Sequence, residues 1–366
     1  MYSGSSLAAF AAILPFTSAV FQGFNYGNVF TNGAPKAQSD FEAEFMAART
    51  LVGAPAVGFQ SARLFTMRQA DSSEPISAIP AAFSTKTTLL LGLWCSAGDA
   101  IFASELDALR AAIAIYGSEL GKTVVGISVG SEDLYRISPT GIKNGENPGT
   151  GPSTIAGYIK QVREVISGTS LTGTPVGHVD TWTAWVNGSN QEVIEASDFV
   201  GVDAYPYYQD TQTNSISNSR RLFFEALNVT KAAAGGKPIW VTETGFPVTG
   251  ETINLAVPGV DNAKKYWDEV GCSLFGTTNT WWYTFQDAAP NPGSRSFGIV
   301  GSNLAAGPLF NISCNATDSL GSLTGNDTSG ASATSTAPVT NRNGVAAVTG
   351  SLNAALVAVL AVVVAL

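Results

Sequence analysis

Between Gln22 and Phe310 the chain alternates two textures. Short apolar runs recur as "QGFNYG" (22–27), "VGFQSARLFT" (57–66), "TTLLLGLWC" (87–95), "TVVGISVG" (123–130), "TPVGHVD" (174–180), "SDFVGVDAY" (197–205), "KPIWVTET" (237–244) and "NTWWYTF" (279–285). Between them lie longer stretches, among them "DFEAEFMAART", "SELDALRAAIAIYG", "SRRLFFEALNVTKAAAGG" and "VDNAKKYWDEVGCSLFG", in which apolar residues return at i, i+3 and i+4. The first texture predicts buried strands and the second amphipathic helices. Eight strand–helix units in about 290 residues is the arithmetic of an α/β fold, a single (β/α)8 TIM barrel. A doubly wound open sheet is the alternative. It requires a glycine-rich phosphate loop after the first strand, which "GFNYGNVF" does not supply.

The pattern fails at both ends. Residues 1–19, "MYSGSSLAAFAAILPFTSA", form an apolar stretch closing on Thr17-Ser18-Ala19, which predicts a secretory signal peptide although no Lys or Arg precedes it. The competing reading, an N-terminal helix, is disfavoured by the internal proline and glycine. From about 318 to 343 the text turns to Ser, Thr, Gly and Asn without apolar periodicity, as expected of a flexible stalk. The closing "AALVAVLAVVVAL" is shorter than the roughly 20 residues that span a bilayer. With small residues and a spacer before it, it has the layout of a glycosylphosphatidylinositol signal that is removed, rather than of a tail helix packed on the fold. The expected organisation is signal peptide 1–19, catalytic barrel 20–317, linker 318–343 and a removed propeptide 344–366. Asn343 is the expected attachment site, with Gly344, Gly350 and Ser351 as rivals. Sequons at Asn187, Asn228, Asn311, Asn315 and Asn326 fit the same route. The expectation is therefore a secreted monomer held at the cell membrane by a lipid anchor, and in the cell wall.

Charge and rare residues narrow the chemistry. A net charge of −9 argues against nucleic acid, whose phosphates need a basic face. One histidine, His178, is too few for a metal hydrolase and has no marked partner as a protease base, so neither a metal nor a cofactor is expected. Three cysteines cannot all pair. In an oxidising compartment Cys272–Cys314 is the favoured bridge, pinning the C-terminal segment to the barrel and leaving Cys95 in its strand.

Catalytic groups of such barrels sit at the C-terminal ends of strands, and two strands end on glutamate: Glu132 in "SVGSEDLYR" and Glu243 in "WVTETGFP". Alternation along the fourth strand puts Gly126, Ser128, Gly130 and Glu132 on the inner face and Val125, Ile127 and Val129 against the helices. Asp133 then points away and is expected to be structural, paired with Arg136. Alternation in the seventh strand is less clean around Trp240. Two carboxyls across one barrel mouth suit glycoside hydrolysis, one as proton donor and one as nucleophile. Aromatics crowd the strand ends: Tyr26, Phe65, Trp94, Tyr135, Trp182, Trp185, Tyr205, Tyr207, Tyr208, Trp282, Tyr283 and Phe285. Half of them are expected to stack on sugar faces and half to be core, while Asn25, Gln286 and Asp287 offer partners for hydroxyls. Asn25, Tyr26, Arg63, Ser131, Trp182, Tyr205, Trp282 and Gln286 are the candidate substrate contacts. A Schiff-base aldolase is excluded because Lys122 and Lys237 precede strands four and seven. A carbohydrate-binding wall protein would keep the aromatics without needing the glutamates.

Together, "SVGSEDLYR", "WVTETGFP", "GFNYGN" and "WWYTFQD" resemble fungal glycoside hydrolase family 17, the β-1,3-glucanases and glucan transglycosylases of cell walls, over about Gln22 to Cys314. The likeness is nearest to the family's membrane-anchored endo-β-1,3-glucosidases. It implies Glu132 as proton donor, Glu243 as nucleophile and β-1,3-glucan as substrate. Ser131 stands, as the resemblance suggests it does in some fungal members, where the family often has an asparagine that contacts the sugar 2-hydroxyl, so that contact is either lost here or remade by a neighbour. Hydrolysis and transfer share one glycosyl-enzyme, and the residues leave the balance between them open.

Overall fold

The structure, a computed structural model, describes residues 20–314. The expected signal peptide, stalk and anchor signal, with Asn315, Asn326 and Asn343, lie outside the described residues. Eight parallel strands close into a barrel in chain order. They are β1 (Gln22–Tyr26), β2 (Ser61–Leu64), β3 (Thr88–Leu93), β4 (Val124–Ser131), β5 (Val176–Thr181), β6 (Val200–Asp203), β7 (Ile239–Glu243) and β8 (Thr280–Trp282). Six fall inside one of the eight apolar runs, and β4 and β5 overrun theirs by one residue, Ser131 and Thr181. Pairing of β1 with β8 closes the ring and rules out the open sheet.

Helices clothe the barrel: α1 (Gln38–Arg49), α2 (Ala78–Thr85), α3 (Asp99–Thr123), short α4 (Asp133–Arg136) and α5 (Pro139–Lys143), α6 (Pro152–Ile166), α7 (Trp182–Trp185), α8 (Gln191–Ala196), α9 (Ile216–Ala233) and α10 (Val260–Tyr266). A π turn (Trp267–Gly271) carries α10 into α11 (Cys272–Leu274). The amphipathic pattern explains their seating. In α6 the buried residues are Ile155, Tyr158, Ile159, Val162 and Ile166, one stripe at helical spacing. Cys272 and Cys314 form a disulfide with their Cα atoms 5.4 Å apart. Trp267 Nε1 donates to Ile312 O beside it, fastening the last described residues to the 260–274 helical segment.

The barrel interior fills in layers. Leu90, Phe199, Trp240 and Trp281 make an apolar floor, with the Phe199 and Trp240 rings stacked 3.8 Å apart. Gly126 must be glycine, because a Cβ there would come within 2.8 Å of the Trp240 ring. Above the floor, Trp281 Nε1 donates to Ser61 Oγ. Asn25 Nδ2 donates across the barrel to the carbonyls of Thr242 and Trp281. At the C-terminal mouth lie Arg63, Ser131, Glu132 and Glu243.

The strict alternation expected of β4 does not hold. Its register slips against β3 between Leu89 and Leu90, and Val125 packs against the floor instead of the helices. It slips again against β5 between Ser128 and Ser131, where one extra residue is accommodated. Gly130 takes φ +84° at that bulge, and a Cβ on it would meet Asp133 and the His178 ring. Gly130 therefore leaves the inner face to Ser131. A third slip, where Val202 pairs with Val241 but Asp203 with Glu243, makes Thr242 the extra residue of β7. Both glutamates thus follow a bulge that re-aims them.

Candidate active site

Glu132 follows the β4 bulge and itself has a left-handed backbone, φ 59°. Its amide donates to Val179 O, and Arg136 N donates to Glu132 O one turn on. The turn is anchored from outside the barrel. Asp180 on β5 accepts from the amides of Leu134 and Tyr135. Asp133, fully buried, accepts from Ser96 Oγ and Ser131 N. The expected Asp133–Arg136 pair is replaced: Arg136 Nη1 donates to Glu146 O and lies 3.7 Å from Glu146 Oε2, with its guanidinium over the Trp94 ring. Behind the turn, His178 has its Nδ1 against Val129 O and its Nε2 against Asp180 Oδ2. A ring that satisfies both a carbonyl and a carboxyl oxygen donates through both nitrogens, the charged form that a raised pKa favours. Burial opposes that charge, but Asp180 outweighs it and holds the pKa above the ordinary value.

Glu243 sits in a different setting. Its Oε1 accepts from Arg63 Nη1 at 2.5 Å and its Oε2 from Tyr205 hydroxyl at 2.6 Å. Arg63 also donates through Nη1 to Asn25 Oδ1 and through Nη2 to Ser131 Oγ. One buried guanidinium therefore links β1, β2, β4 and β7 and places the two glutamates on one mouth. Glu132 has no such cation against it. Burial, then the charge of Glu243, push its pKa well above the usual carboxylate range, with Arg136 opposing. The mouth thus offers one carboxyl that keeps its proton and one held by two donors, the division that acid and nucleophile roles need.

The other expected contacts divide. Tyr205 and Ser131 reach the mouth through Glu243 and Arg63. Asn25 lies beneath Arg63 as its support. Trp182 stands on α7 directly after β5, its Nε1 buried without a partner. Gln286 donates through Nε2 to Gly301 O, and Asp287 is used within its own loop, accepting from Ser296 Oγ and the amides of Phe297 and Gly298. Tyr26 and Trp282 face the helices instead of the mouth. Tyr26 packs edge-on against Phe45 and beside Phe285, and Trp282 lies among Tyr266, Trp267 and Phe275. Trp185, Tyr135 and Phe285 are likewise core. Phe65 lies under Arg63, and Tyr205, Tyr207, Tyr208, Tyr283 and Phe297 form one aromatic cluster at the rim. Arg295 stacks over Tyr207 and Tyr208 and donates to Tyr208 hydroxyl and Glu251. The sequence reading missed Arg295, Glu146 and Asp203. Of these only Asp203 had a legible signal, two positions before Tyr205 and so on the same strand face.

Among the described residues, eight buried side-chain polar atoms lack a hydrogen-bond partner, and seven belong to Arg63, Arg136, Glu146, Trp182, Asp203, Gln209 and Arg295 at the ends of the strands and their loops. Such a concentration at one end of the barrel suits a ligand rich in hydroxyls. A cleft of about 400 Å³ opens there between the loops after β1, β2 and β3, bordered by Asn28, Thr66, Arg68, Asp71, Trp94 and Glu105. A hollow of about 500 Å³ at the opposite end is bordered by Lys231, Lys237, Trp240 and Asn279 and holds no carboxyl. Among the described residues no group of three or more His, Cys, Asp or Glu could hold a metal ion.

Comparisons with known proteins agree with this geometry. A probable glucan endo-1,3-beta-glucosidase of Aspergillus fumigatus is 58% identical, the match covering 86% of this chain and 69% of that one. The glucan 1,3-beta-glucosidase of Saccharomyces cerevisiae is 32% identical over 75% of this chain and 84% of its own. The glycoside hydrolase family 17 beta-1,3-glucanosyltransferase of Rhizomucor miehei superposes with a TM-score of 0.63 at 25% identity, covering 78% of this chain and 94% of that one. Residues 23–299 match the BtgE/BtgC glycoside hydrolase domain. The chain belongs to that family of glycoside hydrolases, and its barrel has the fold of glycoside hydrolase family 17.

Proposed function

We propose that the protein is a glucan endo-1,3-beta-glucosidase that cleaves by double displacement with retention of configuration. The observation that carries this is the unequal setting of two glutamates on one mouth: Glu132 buried and proton-holding, Glu243 pinned by Arg63 and Tyr205. Glu132 gives its proton to the glycosidic oxygen while a Glu243 oxygen bonds to the anomeric carbon and the leaving chain departs. Water then attacks the ester, losing a proton to Glu132 and restoring the Glu243 carboxylate. The cleft along the β1–β3 loops gives an internal stretch of β-1,3-glucan room on one side of the cut, as an endo enzyme needs. The names of the Aspergillus relatives support the substrate.

Transfer to a second glucan is the other reading, favoured by the Rhizomucor structure, whose printed activity is glucanosyl transfer. Laminari-oligosaccharides of defined length separate the two: shorter products alone mean hydrolysis, and products longer than the substrate mean transfer. Glu243→Ala abolishes both, and Glu132→Ala lowers turnover by about 10²–10⁴-fold. Substantial laminarin cleavage by the Glu243→Ala protein rejects the mechanism.

Secretion, glycosylation at the sequons and a lipid anchor near Asn343 belong to the same proposal, supported by the sequence of the two ends. Asn187, Asn228 and Asn311 are exposed on the barrel. Release of the enzyme from intact cells by a phosphatidylinositol-specific phospholipase checks the anchor, and retention on the cells after treatment counts against it.

A further inference from the structure

A third carboxyl lies directly under the pair. Asp203 faces the barrel interior from the end of β6 and is 1% exposed. Its Oδ1 accepts from Thr242 Oγ1 at 2.7 Å, and its Oδ2 is buried without a partner. The groups whose charges reach it are Glu243 from β7, Arg63 from β2 and Glu132 from the turn after β4. Arg63 spends Nη1 on Asn25 and Glu243 and Nη2 on Ser131, and its Nε is unpartnered, so no guanidinium hydrogen bond is made to Asp203. An ionised Asp203 would leave one buried anionic oxygen with no protein donor and set a second anion beside the one cation that Glu243 uses.

We propose that Asp203 is a neutral carboxylic acid throughout turnover and a positioning residue for Glu243: it fixes Thr242, the extra residue of the β7 bulge, and leaves the Arg63 charge to Glu243. Burial and the Glu243 charge both act to keep its proton on, against Arg63. The inference rests on the roles proposed above for the two glutamates. In the free enzyme Arg63 is matched by the Glu243 carboxylate while Glu132 is protonated. Once the proton has passed to the leaving oxygen and Glu243 has become an ester, the negative charge lies on Glu132, where Arg136 is the cation that acts on it. Water attack returns the proton to Glu132 and the charge to Glu243. An ionised Asp203 would set a second anion against Arg63 whenever Glu243 is a carboxylate.

Infrared difference spectra of substrate-free enzyme, with ¹³C-carboxyl aspartate to separate aspartate from Glu132, test the protonation directly. The expected result at the working pH is a carboxylic-acid C=O stretch in the wild type that shifts with the label and is missing from Asp203→Asn. Absence of any label-sensitive component from the wild-type minus Asp203→Asn difference overturns the neutral acid. Because no turnover is involved, this reading stands apart from any failure of the glutamate assignments. For positioning, Asp203→Asn keeps an acceptor for Thr242 and holds kcat within about threefold, with KM unchanged. Asp203→Ala, checked by circular dichroism for an intact fold, loses about 10²-fold in kcat through misplacement of Glu243. Equal loss in the two variants, or none in Asp203→Ala, overturns the positioning role.

Discussion

Arg63 shows what a single side chain contributes to the mouth. Its guanidinium reaches Asn25, Glu243 and Ser131 at once, and a planar fork is needed for that. Arg63→Lys keeps the charge but not the fork, so turnover is expected to fall by about 10²-fold while the thermal midpoint moves little, measured as kcat on laminarin beside a melting curve. Sequence position marked the two glutamates well, because a carboxylate ending an apolar strand is conspicuous. It also brought Arg63 and Tyr205 into the candidate set, but not their pairing with Glu243, since Arg63 and Glu243 are 180 residues apart. Tyr26 and Trp282 were misread for a related reason. An aromatic at a strand end belongs to the mouth or to the helix layer depending on one step of alternation, and Phe45 and Trp267, which claim these two, come from distant helices.

Bulges carry the element-scale lesson. The eight strands and the major helices were legible from periodicity alone, because burying one face imposes a repeat. Register slips have no such repeat. Alternation did select Glu132, but through an inner face that included Gly130, whereas the bulge turns Gly130 out and brings Ser131 in. Gly130 was a readable clue, as glycine inside a strand often marks a bulge. Gly130→Ala forces a side chain into left-handed backbone and toward the Asp133 carboxylate, 2.2 Å from the added carbon. It is expected to cost at least about 1–2 kcal/mol in denaturant unfolding and to lower kcat by shifting Glu132. An unchanged kcat would show that the bulge does not aim the acid.

Across the whole molecule, buried carboxyls tie stability to acid conditions. Burial raises Glu44, Glu105, Asp133 and Asp287 together, and Glu105, which accepts from Thr66 Oγ1 and Met67 N, is raised to about 7. A carboxyl that binds its proton more tightly folded than unfolded stabilises the fold fully below its unfolded pKa, near 4.5, and loses that contribution as pH rises through the folded value. For Glu105 the loss between pH 4.5 and above 7 is about 3 kcal/mol. Melting is therefore expected at a higher temperature at pH 5 than at pH 8, and Glu105→Gln should flatten the difference; a midpoint that climbs toward pH 8 would contradict this. The Cys272–Cys314 bridge has a mechanical consequence at the same scale. It closes a ring over 42 positions that contains β8, the Tyr283 rim and Arg295. Tension applied to the chain beyond Cys314 passes through the sulfurs into α11 and bypasses that ring. The wall of the mouth is shielded from whatever pulls on the end of the chain.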